Sequence, residues 1–207
     1  MIKRYTIILA LFVTGAITLQ AQFGIGFVLN NDLYQRYSNP KDDIAGRSSG
    51  SFLLNFAAGP KIWIGGNDFS VSVEATANLG VLGLDVDDYK GLGMLSIPLL
   101  VQFNFKGLSA LDREGKTGFS IGGGIQFNRT ELYYITPAMS EKGVTRNFYR
   151  TIVGEFGYGF GMSGFTIYPF VRLGYDVDLS ANSFNLGIRY GFNLPKLRKI
   201  SDPESDL

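Results

Sequence analysis

Near its end the chain reads SFNLGIRYGFNL, Ser183 to Leu194. Phe184, Leu186, Ile188, Tyr190, Phe192 and Leu194 alternate without a break with Ser183, Asn185, Gly187, Arg189, Gly191 and Asn193. A period of two puts these sets on opposite faces of one strand. One face is wholly bulky and apolar. The other is small and polar and carries a full cation. In a soluble sheet the polar face meets water and is dressed with Lys, Glu and Thr. Glycine, serine and amides make a poor solubilising surface, but they suit the crowded inside of a narrow closed barrel. The bulky set is then left to face lipid.

Segments of this kind recur along the chain, and after Gln22 no convincing helical period interrupts them. Eight are read, at about 22–32, 50–64, 68–82, 93–106, 117–130, 146–160, 165–178 and 183–194, separated by clusters of Gly, Asn, Asp and Ser. On the third, Phe69, Val71, Val73, Ala75, Ala77, Leu79 and Val81 alternate with Ser70, Ser72, Thr76 and Asn78. The connections alternate in length. Gly65-Gly66-Asn67 and Gly161-Met162-Ser163-Gly164 are tight turns, whereas 33–49 and 131–145 are long and polar. An even strand count with short turns at one end and longer loops at the other predicts an all-β fold, an eight-stranded antiparallel up-and-down transmembrane β-barrel over residues 22–194. Two connections fit less well: Lys106 to Lys116 is long for an inner turn, and 179–182 is short for an outer loop. Pro60, Pro98 and Pro169 also fall inside strands, and a closed barrel has no edge on which to place a missing donor. Bulges are expected at those points.

Depth provides a second test. If the odd strands run outward from the cell interior, the inner rim holds their starts and the ends of the even strands. The outward-phase residues there are Phe23, Phe69, Phe105, Phe119, Phe160, Phe165 and Phe192, with Ile62 or Ile64 on the second strand. An aromatic row at one level is what an interfacial girdle requires. The opposite rim is less uniform, with Phe52, Phe127, Phe148, Tyr175 and Phe184.

The N-terminus agrees with export. Lys3 and Arg4 precede an apolar run from about Tyr5 to Ile17, and Ala21 stands at a cleavage position. Residues 1–21 are therefore expected to be a signal peptide. The run is too short to cross roughly 30 Å of hydrocarbon as a helix. Residues 195–207, PKLRKISDPESDL, are charged and apolar-poor and are expected to form a periplasmic tail. The expected location is the bacterial outer membrane.

At Ser96 to Phe105, SIPLLVQFNF, the chain resembles the "IPLLLKY"-type fourth strand of the PorT-like outer-membrane β-barrel family of Bacteroidota. The glycine-punctuated strands, the LQAQ export junction and the length are similar as well. The resemblance implies an OmpA-like eight-stranded barrel with periplasmic termini. It implies no particular activity, since most members have none assigned. Members linked to secretion carry additional N-terminal sequence, so it implies no direct secretion role.

The formal net charge of +1 gives no reason to expect nucleic acid as a partner. The chain holds no Cys and no His. Disulfides and thiolate sites are thereby excluded, and the commonest general base and metal ligand is missing. Ser–His and Cys–His hydrolytic arrangements need an imidazole. No enzymatic activity and no cofactor are expected. Gly159 to Gly164 matches G-x-G-x-x-G, but the strand FTIYPF follows it where a dinucleotide site needs a helix, so it reads as a hairpin turn. Asp85, Asp87 and Asp88 cluster in a loop, with Lys90 where a calcium-binding loop needs Gly, and read as a solvated acidic loop.

The inward-phase charges are Lys61, Glu74, Glu155, Arg172 and Arg189, with Asp176 and Asp178 nearer the outer rim. They form either a gate made of ion pairs or a structural plug. A barrel of about eight strands is just filled by its own side chains, which favours the plug. The expected function is therefore structural or interactive: a closed barrel acting as an envelope component or as an accessory subunit of an outer-membrane complex. The alternative is a small pore for ions or small solutes. The expected partners are outer-membrane lipids and other outer-membrane proteins.

Overall fold

The computed structural model describes residues 22–38, 48–53, 55–81, 92–109, 115–133, 148–176 and 180–194. The expected signal peptide, the C-terminal tail, the acidic loop and Asp178 lie outside these residues. Ten ladder segments follow one another: β1 (Gln22–Ser38), β2 (Ser48–Phe52), β3 (Asn55–Gly65), β4 (Phe69–Ala75), β5 (Ala77–Gly80), β6 (Leu92–Lys106), β7 (Lys116–Tyr133), β8 (Tyr149–Met162), β9 (Phe165–Tyr175) and β10 (Asn182–Asn193). β2 and β3 both pair with β1, and β4 and β5 both pair with β3 and β6, so each couple is one interrupted stave. Eight staves result, each antiparallel to its neighbours, and β1 closes the ring by pairing with β10. The fold is a closed antiparallel barrel with no free edge.

The period-two sequence determines which face is which. On β8 buried and exposed residues alternate from Thr151 to Gly157, and on β10 from Asn182 to Gly187. The buried set is polar: Ser70, Ser72, Asn78, Ser96, Gln102, Ser120, Gln126, Asn185 and Asn193 are each at most 1% exposed. The exposed set is apolar, including Val73, Leu79, Ile121, Ile152, Phe156 and Leu173. This inverts the usual distribution of a soluble protein.

None of the three strand prolines sits at a bulge. Pro60 pairs in unbroken register with Phe27, Pro98 with Gln126 and Pro169 with Ile188. The missing donors instead open gaps on the other side of each proline. β4 and β5 are separated at Thr76, whose N–H still donates to the Pro98 carbonyl at 3.2 Å. Pro98 has no N–H to return that bond. The β8–β9 ladder likewise skips from Gly157–Phe170 to Phe160–Ile167, which brackets Pro169. Residue numbers match on both sides of each gap, so the facing pattern survives. The register shifts of the barrel lie elsewhere, between Asp32 and Tyr34 and between Leu92 and Met94. The first makes Leu33 an extra residue, and β1 continues to Ser38 with Gln35 and Tyr37 turned inward.

The hairpin at Ser163-Gly164 has φ of 51° and 85°, the double left-handed turn that matches strand twist. The G-x-G-x-x-G stretch is this hairpin. Of the longer connection after β6, residues 107–109 pack against the barrel. Leu108 turns inward, 1% exposed, against Tyr168 and Phe170, and Ser109 Oγ donates to the Gly66 carbonyl at 2.6 Å.

Candidate functional site: the charged lumen

The five inward charges come from five different segments and meet in one network. Glu155 on β8 is the hub. Arg172, in register with it on β9, donates through Nε to Oε2 at 2.7 Å and places Nη2 at 2.6 Å from the same oxygen. Arg189 on β10 reaches both Glu155 oxygens, Nη1 at 2.5 Å and Nη2 at 3.0 Å. Its Nη1 also lies 3.2 Å from Oε2 of Glu74 on β4. Glu74 Oε1 in turn lies 3.5 Å from Lys61 Nζ, its register partner on β3. All five side chains are at most 5% exposed.

Neutral groups fill the remaining valences. Gln102 donates to Glu155 at 2.7 Å, Ser72 donates to Glu74 at 2.9 Å, and Arg172 Nη1 donates to Gln126 at 3.0 Å. Asn30 accepts from Arg189 Nε at 3.1 Å. The Phe170 ring lies between the two guanidiniums, 5.1 Å from Arg172 and 5.0 Å from Arg189. Buried charges persist only when paired and hydrogen-bonded, and here each one is. Beneath the network Trp63, 2% exposed, lies across the lumen where Gly24 leaves room for its ring.

The alternation that exposed these five also runs through residues that sequence reasoning passes over. Asp32 is fully buried, and its Oδ2 accepts from Gln35 at 2.6 Å and from Asn78 and Asn185 at 2.9 Å each. The inward phase of β1 contains position 32, but the period-two pattern of the first segment stops there. Asp176 is half-buried at the outer end, where its N–H donates to the Ala181 carbonyl at 2.8 Å. With Asp32 included, Lys61, Arg172 and Arg189 balance Asp32, Glu74 and Glu155, and the buried charges among the described residues cancel.

The inner-rim phenylalanines divide into groups. Phe69, Phe105 and Phe119 meet across three neighbouring staves, Phe69 tilted against Phe105 at 5.2 Å and Phe105 stacked on Phe119 at 4.5 Å. Phe165 lies tilted against Phe192 at 5.2 Å, and Phe27, which the aromatic row does not include, stacks on Phe192 at 4.4 Å. Phe23, paired with Ile64, and Phe160, paired with Thr117, stand apart as exposed rings. Among the described residues there is no group of three or more His, Cys, Asp or Glu able to hold a metal.

No family model matches the chain, and no curated relative matches it. Among solved structures the chain is similar to Neisserial surface protein A at 13% identity, covering 83% of this chain and 97% of that one with a TM-score of 0.46. It is similar to Ail, the attachment invasion locus protein of Yersinia pestis, at 12% identity, covering 83% and 97% with a TM-score of 0.39. It is also similar to the N-terminal β-barrel domain of Pseudomonas aeruginosa OprF, at 10% identity, covering 84% and 100% with a TM-score of 0.39. At these identities and scores none of the three assigns an activity to this chain.

Proposed function

We propose that the chain is an integral barrel of the bacterial outer membrane with a closed lumen, and that it works through its walls and ends rather than through a passage or a catalytic centre. The observation that carries this reading is the ion network. Arg172, Glu155, Arg189, Glu74 and Lys61 form a continuous chain of contacts of 3.5 Å or less across the interior, each at most 5% exposed. Opening a pore there would strand charges in a space too narrow to hydrate them. The absence of His and Cys from the sequence supports a non-enzymatic role. The exposed apolar wall supports lipid as one partner, and the same wall would dock another outer-membrane protein. The protein is then an envelope component or an accessory subunit of an outer-membrane complex.

The test combines two measurements on the intact chain. Affinity capture from native membranes in mild detergent is expected to bring down an outer-membrane partner in fixed stoichiometry if the barrel is an accessory subunit, and none if it is a solitary envelope component. Planar-bilayer recording is expected to show no sustained conductance. A long-lived open state of appreciable size would reject the closed barrel in favour of a small pore.

A further inference from the structure

The apolar wall carries charge at one end only. Among the described residues, the charges on the outward phase of the strands are Arg36, Arg129 and Arg150, all arginines and all toward the rim opposite the phenylalanine row. Arg129 and Arg150 belong to neighbouring strands, β7 and β8. Gln126 and Asn128 are fully buried in the lumen, which leaves Arg129 on the outer face, half-buried. Thr151 and Val153 likewise turn inward and leave Arg150 exposed. Phe127 is the register partner of Arg150. Arg129, two residues further along β7, is then its diagonal neighbour, with backbones about 7–8 Å apart. On its other side Arg129 faces Leu95 of β6. No carboxylate stands beside either arginine on this face among the described residues.

Strand length sets their depth. Phe119 to Arg129 on β7, and Phe160 to Arg150 on β8, are each ten residues apart. Ten residues rise about 33 Å along a strand. At a tilt of 35–45° that is about 25 Å along the membrane normal, the height of the apolar band of such a barrel. The outward residues in between, alternate positions from Ile121 to Phe127 and from Ile152 to Tyr158, are all uncharged. Both arginines thus emerge at one level, where the hydrocarbon of the far leaflet ends.

We infer that Arg129 and Arg150 form a docking site for the phosphate of an outer-leaflet lipid headgroup. The site rests on the reading of the chain as an outer-membrane barrel and adds to it a lipid class and a place on the wall. Like charges side by side on neighbouring strands repel, and a phosphate between them turns that repulsion into a clamp. A guanidinium presents its donors in a planar fork that matches phosphate oxygens two at a time, which a lysine ammonium does not. Long apolar stems let both heads stay in the headgroup layer. At that level each basic side chain gains from an anionic headgroup.

The experiment places the refolded full chain in phosphatidylcholine nanodiscs containing a minor fraction of phosphatidic acid, and native mass spectrometry identifies the lipids that leave with the barrel. At about a fivefold gain per arginine, the pair predicts about a twenty-five-fold preference for one phosphatidic acid over phosphatidylcholine. The preference falls to about fivefold in Arg129→Gln or Arg150→Gln and vanishes in the double variant. Excess inorganic phosphate leaves the bound lipid in place. An undiminished preference in the folded double variant, or full displacement of the lipid by inorganic phosphate, overturns the site. So does a preference that emerges only in Glu131→Gln, since Glu131, the next charge along β7 and outside the described side chains, would then be the arginines' partner. A barrel that inserts but shows no lipid preference rejects the site alone, whereas a chain that enters no bilayer rejects the barrel reading with it.

Discussion

At Arg189 one guanidinium serves two carboxylates, Glu155 at 2.5 Å and Glu74 at 3.2 Å. Removing it would leave both partly unpaired in the interior, a loss of about 3–5 kcal/mol for a broken buried pair. Arg172→Ala removes one of the two cations of Glu155 and leaves Arg189 on it, so it is expected to cost several kcal/mol, but less than Arg189→Ala. Urea unfolding in lipid vesicles, read by Trp63 fluorescence, measures both. A cost below about 1 kcal/mol, the range of an exposed pair, would mean that water reaches the network. Glycines give a second contrast. A Cβ on Gly24 would run into the Trp63 ring, whereas one on Gly154 would meet nothing within 4 Å. Gly24→Ala is therefore expected to destabilise by about 1–3 kcal/mol, partly relieved by adding Trp63→Leu, for which circular dichroism replaces the lost Trp signal, and Gly154→Ala to leave stability unchanged or slightly higher. Equal effects at the two sites would reject the packing described here. At this scale parity alone identifies the five charges. It does not identify Trp63 as the floor beneath them, because side-chain size on the inner face has no sequence period.

The elements are legible wherever the period of two holds. Seven of the eight segments read from sequence have counterparts close to their expected bounds, and the first does not. β1 runs to Ser38 because Leu33 is inserted at a bulge, and that single extra residue inverts the alternation at the point where the sequence pattern stops. Asp32, Gln35 and Tyr37 are hidden for this reason. The prolines mislead in the opposite sense: each removes a donor, and the barrel answers with a gap in one ladder rather than with an added residue. Inserting one Ala between Tyr34 and Gln35 tests the register that the bulge sets. The insertion would turn Gln35 and Tyr37 toward lipid and break the 2.7 Å bond from Gln126 to the Tyr37 hydroxyl, since a one-residue slip exchanges the faces of everything beyond it. A loss of several kcal/mol, or failure to refold, is expected in the same urea assay. An unaltered unfolding curve would show that the end of β1 does not hold this register.

The whole molecule rests on an inverted distribution: a polar, charge-balanced interior inside an apolar wall. The alternating sequence carries this inversion by itself, because no soluble fold places its glycines and amides opposite such a continuous bulky face. Which side chains neutralise which, and how Leu108 packs against Tyr168 and Phe170, depends on contacts between residues far apart in the chain, and no local pattern encodes them. The native chain has no Cys, so single cysteines can be introduced one at a time from Phe184 to Arg189, spin-labelled in lipid vesicles and challenged with a lipid-soluble and a water-soluble relaxing agent. The account predicts that positions 184, 186 and 188 respond to the lipid-soluble agent, while 185, 187 and 189 are shielded from both. Lipid contact at 185, 187 and 189, or free access of the aqueous agent to them, would contradict it.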